Sequence, residues 1–180
     1  MSVIFNILLK KDTMKKLLLL LSAFVCFQCT EELNPAELSA DQFVDVVKNG
    51  EYQEMALPPF ASADIPVLLA QAQPNRAIAA FAVNPISSYA PVDYTLTESL
   101  LWTIEAIRLD ENPDDRQLPF PSLAPKLRKK DAQDNLVFAT EADYSLAYQA
   151  YIQWWEDSTS VTWEDKQKIN PLESLKLFWF

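Results

Sequence analysis

Glu98 and Glu105 stand seven residues apart in a stretch whose apolar residues recur at helical spacing, which puts both carboxylates on one helix face. Two carboxyl groups sharing a cleft can drive glycoside hydrolysis, one as acid and the other as nucleophile or base. A structural role competes with that one. Thr95 and Glu98 have capping-box spacing, and Glu105 and Arg108 are i,i+3 neighbours able to pair. Tyr144, Tyr148, Tyr151 and Trp155, with Trp154 alongside, form either core or an aromatic platform for a sugar or peptide. The turn Asn84-Pro85-Ile86-Ser87-Ser88-Tyr89 either caps its own backbone or presents Ser87, Ser88 and Tyr89 to a ligand. The candidate binding set is Ser87, Ser88, Tyr89, Trp102, Glu105 and Arg108. No residue is assigned a catalytic role.

Missing residue types remove most other chemistry. The 180 residues include no His, so Ser–His and Cys–His nucleophiles and His-ligated zinc are excluded. The single glycine, Gly50, excludes a Gly-rich phosphate loop. Asp110, Glu111, Asp114 and Asp115 could offer oxygen ligands to calcium, but they lack EF-hand spacing and read as an exposed acidic turn. No metal or cofactor is expected. The net charge of −10 repels phosphate backbones and disfavours nucleic acid as a partner. Lys126 to Lys130 is a small basic cluster, read as solvated or as meeting an acidic partner.

These side chains need a scaffold, and the composition suggests its class. One glycine and twelve prolines disfavour hairpins and favour short helices with stiff connections. The expectation is a mainly α fold: a small irregular bundle of five to seven short helices with Pro-rich connections. The first helix starts after Ser39, with Gln42 completing a capping box, and ends at Gly50. The second follows Ser62 and is closed by Gln73-Pro74. Residues 77–83 fit a short helix or a strand. The third carries Thr95, Glu98, Trp102, Glu105 and Arg108, and its broad apolar face predicts a central, enclosed position. Asn112-Pro113-Asp114-Asp115 is a turn. A fourth helix starts near Thr140, and residues 161–169 and 172–178 suggest two more. The apolar end, Leu177-Phe178-Trp179-Phe180, is expected to dock into the core.

Upstream lies an address. Met14-Lys15-Lys16 precedes a short apolar run from Leu17 to Val25, the pattern of a secretory signal. The run is too short to span a bilayer, and Met14 is a better start than Met1. The only cysteines, Cys26 and Cys29, sit at its end. The segment is expected to divide as a signal over 1–28, a linker over 29–38 beginning at lipid-anchor Cys29, and one domain over 39–180. Simple secretion and a retained anchor are the alternatives, because Phe27 and Gln28 stand where small residues usually precede a lipidated cysteine.

The strings Ala56-Leu57-Pro58-Pro59-Phe60, Asp64-Ile65-Pro66-Val67-Leu68-Leu69, Asn84-Pro85-Ile86-Ser87-Ser88-Tyr89 and Leu101-Trp102-Thr103-Ile104-Glu105-Ala106-Ile107-Arg108 resemble a family of uncharacterised Bacteroides lipoproteins built on a domain of unknown function. Glu31 and Glu32 after Cys29 also resemble a Bacteroidales surface-export signal. The resemblance implies an envelope protein and supplies no catalytic residues. The expected function is that of an exported, lipid-anchored protein of the outer membrane that binds an envelope protein or a glycan. The alternatives are a carboxylate-based glycan-acting enzyme and a structural subunit of an envelope complex docking through exposed aromatics.

Overall fold

The computed structural model describes residues 33–52, 54–72, 76–89, 91, 93–111, 117–157 and 161–180. The leader, Cys26, Cys29, Gln73-Pro74 and the turn at 112–115 lie outside them. Residues 34–180 form one compact unit. Its five α-helices are α1 (Ala40–Lys48), α2 (Ile65–Gln71), α3 (Leu96–Leu109), α4 (Glu141–Asp157) and α5 (Trp163–Lys168). Five short strands accompany them: β1 (Ala77–Ile78), β2 (Tyr94–Thr95), β3 (Leu127–Lys130), β4 (Leu136–Phe138) and β5 (Phe178–Trp179).

The strands correct the all-helical expectation. β1 and β2 pair antiparallel, and β4-β3-β5 form a second antiparallel sheet, so the fold is mixed α and β. The scarcity of glycine misled because other residues take the left-handed positions. Asp134 closes the β3–β4 turn at φ 66°, and Lys176 adopts φ 53° before β5. Asp tolerates that region because its short side chain bonds locally. In this turn Asp131 supplies those bonds, accepting from the N–H groups of Gln133 (2.9 Å) and Asn135 (2.8 Å). The segment 172–178 is a 3₁₀ turn, Glu173–Leu175, leading into β5, with no α-helix.

Local signals set the helix ends. Ser39 and Gln42 close a reciprocal capping box on α1. At its far end Gly50 N–H bonds Val47 O (3.0 Å) and Glu51 N–H bonds Val46 O (3.0 Å), a Schellman motif with Gly50 at φ 70°. A Cβ at Gly50 would lie 2.8 Å from that of Ala79. Asp143 and Thr140 cap α4 reciprocally.

Helix α3 is the axis of the core and packs against α1, α2, α4 and α5. Thirteen of its fourteen residues are buried, so each polar group on it must find an internal partner. Thr97 Oγ1 donates to Ala72 O (2.8 Å), Ser99 to Thr95 O (3.0 Å) and Thr103 to Ser99 O (2.8 Å). Phe43, Tyr52, Phe60 and Phe81 form a ring cluster that meets α3 at Trp102, mostly edge to face, with centroids 5.0–6.1 Å apart. The C-terminal segment docks in part: Leu177 is buried, Trp179 and Phe180 are half-buried, and Trp179 Nε1 donates to Tyr151 Oη (3.1 Å). Phe178 stays exposed.

Candidate functional site

The two carboxylates of α3 are each closed by a cation. Glu98, at the first turn, accepts the Thr95 N–H (2.9 Å) and two bonds from Lys126 Nζ (3.0 and 3.1 Å). Both members of that pair are buried, and Asp93 stands 3.7 Å from the same ammonium. Two turns on, Glu105 takes a two-point contact from Arg108 (2.6 and 2.8 Å) and the Tyr151 hydroxyl (2.8 Å). Arg108 also donates to Gln167 O (2.6 Å). Burial opposes the Arg108 charge, but the bonds to Glu105 outweigh it and raise its pKa. Burial, reinforced by Glu105, pushes the Tyr151 hydroxyl far above its usual range, so it stays a proton donor.

Helix α4 repeats this arrangement one heptad earlier. Tyr144 stands beside Glu98 as Tyr151 stands beside Glu105, so α3 and α4 run parallel with a matched polar ladder. The Tyr144 oxygen accepts the Leu127 N–H (2.8 Å). Burial first and the Glu98 charge second raise its pKa strongly, keeping the phenol protonated. The aromatic stripe is core at Tyr144, Tyr148 and Tyr151, with Trp154 buried alongside, whereas Trp155 is only half-buried.

A polar pocket of about 230 Å³ opens at the start of α3. Glu98, Lys126 and Tyr144 are buried residues of its lining, Tyr89 and Phe138 its aromatic wall, and Asp93 and Glu141 its exposed acids. Glu105 does not line it, so this pocket does not bring the two α3 carboxylates into the shared cleft that a two-carboxyl glycosidase needs. Drug-sized sites run about 300–1,000 Å³, so this pocket suits one small unit such as a single sugar ring.

The sequence-derived set is dispersed. Ser87 is spent locally, donating to Tyr89 O (3.0 Å) and accepting the Tyr89 N–H (3.1 Å), while Ser88 is exposed. Trp102 is fully buried with Nε1 on Ser122 Oγ (2.8 Å), and Glu105 is interior. Arg108 borders a separate groove of about 530 Å³ beside Phe60 and Trp163, and its guanidinium is already engaged by Glu105 and Gln167. Only Tyr89 reaches the polar pocket. Lys126, Tyr144 and Phe138 were missed as pocket residues. The basic cluster at 126–130 was the available signal, but its lysines read as solvated when their stems are partly buried in a strand.

Fold and site together define a small α/β domain with a polar-cored central helix and a ligand-sized pocket at that helix's start. The chain belongs to the family described as domain of unknown function DUF4943, whose model matches residues 34–180. No curated protein and no solved structure matches it.

Proposed function

We propose that the chain is an exported, lipid-anchored envelope protein, of a Bacteroides-type outer membrane, whose domain binds a glycan or a partner protein. The observation that carries the binding role is the pocket at the start of α3. Its buried charges are neutralised by each other, so it offers fixed hydrogen-bonding groups beside an aromatic wall. Such a site recognises a polar ligand, and the wall of Tyr89 and Phe138 suits stacking on a sugar ring.

The anchor rests on the leader. A basic start, a short apolar run and Cys29 end five residues before the family domain begins at residue 34. Cell fractionation of a Cys29→Ala variant tests it. Loss of the variant from the membrane fraction supports the anchor; unchanged membrane association removes it. For the pocket, Tyr89→Ala should weaken retention on immobilised envelope glycans while leaving the helical circular dichroism intact. Equal retention would separate the pocket from binding.

A further inference from the structure

Strand β3, which follows the pocket residue Lys126, carries three cations, none of them in the pocket lining, and two have their own carboxylate: Lys129 with Asp143 (2.6 Å) and Lys130 with Asp134 (2.8 Å). Arg128 has none among the described residues, in a chain with 25 acidic side chains. Its guanidinium carbon lies 4.1 Å from the ring centroid of Phe180 and 4.8 Å from that of Phe138. The two rings hold it by cation–π attraction, and its Nε is buried without a hydrogen-bond partner. A guanidinium fixed this way offers a carboxylate the two terminal nitrogens of its planar fork, its Nε being buried.

The aromatic frame is continuous with the pocket. Tyr89 stacks on Phe138 (5.4 Å, 24°) and meets Phe180 edge-on (5.1 Å), and Tyr89 and Phe138 also line the pocket. Taking the binding role above as given, we infer that the ligand is an acidic saccharide: a sugar ring seats against Tyr89 and Phe138, and a uronate carboxylate pairs with Arg128. The chain's overall negative charge opposes long polyanions, so a short oligosaccharide with few carboxylates is favoured.

The test is binding of the full chain, purified in detergent, to an array of oligogalacturonides, their methyl esters, neutral oligogalactosides and acidic peptides. The expected result is retention of the free acids, with at least a tenfold loss for the esters and for the neutral sugars. Arg128→Gln should abolish the preference for acids, and Arg128→Lys should restore little of it because the fork is gone. The ester comparison stands even if Arg128→Gln fails to fold. Equal binding of acid, ester and neutral sugar would overturn the carboxylate assignment and leave the binding role intact. Binding of acidic peptides alone would overturn the saccharide assignment. Binding of no probe would count against both.

Discussion

The Tyr151 hydroxyl donates to Glu105 Oε2 at 2.8 Å, and the same pairing of tyrosine with glutamate recurs seven residues earlier at Tyr144 and Glu98. Each pair adds a cation: Arg108, one turn further along α3, or Lys126, just before β3. The buried polar groups thus register α4 against α3 and leave each carboxylate satisfied. Removing one member exposes the others to the full cost of burial.

Tyr151→Phe deletes one donor to a buried carboxylate and one acceptor for Trp179 Nε1. Stability in urea should fall by about 1–3 kcal/mol with an unchanged slope. A change under about 0.5 kcal/mol, the range of surface substitutions, would show that the contact contributes little.

Lys126→Met leaves the buried Glu98 without its cation, holding only the cap N–H of Thr95 and the Tyr144 hydroxyl. Breaking a buried pair in this way should cost about 3–5 kcal/mol. The double variant Glu98→Gln with Lys126→Met should recover part of that loss, because no unpaired charge remains. Additive losses in a double-mutant cycle would contradict a direct coupling.

Gly50→Ala must place a side chain at φ 70° and 2.8 Å from Ala79 Cβ. Thermal unfolding should show a destabilisation of at least ~1 kcal/mol. Adding Ala79→Gly should return only part of it, since the backbone strain stays.

Asp143 contributes to the pH dependence, alongside Asp131 and Asp165, whose pKa values are also lowered. Burial acts to raise its pKa, but bonds from Lys129 and Thr140 outweigh burial and hold it below the ordinary 3.8. A depressed folded pKa stabilises above the unfolded value, and that contribution drains away as pH falls through the folded one. Urea titrations should therefore show stability declining below about pH 4. In Asp143→Asn this acid limb should be shallower, at lower overall stability because the Thr140 cap is weakened.

Much of the helical frame was legible in the sequence, because caps are local. Ser39 with Gln42, Thr95 with Glu98 and Gly50 mark ends through contacts within five residues. The sheets were not, because their signals are not local. Arg128 pairs with Phe138 and Phe178, the latter fifty residues away, and β3 reads as a charged loop because three of its four residues are cations whose partners come only from the fold. The candidate site split for the same reason. Tyr89 was visible as a turn aromatic, whereas Lys126, Phe138 and Tyr144 join it only through tertiary contact.

The proposed role, binding an intact ligand at the pocket rather than cleaving it, is tested most directly by recovering that ligand. The purified chain, incubated with an envelope or dietary glycan mixture, would be captured and its bound fraction read by mass spectrometry. Binding at the pocket predicts saturable retention of intact oligosaccharide that Tyr89→Ala diminishes. Release of shortened products over time, or retention indifferent to the Tyr89 variant, would contradict it.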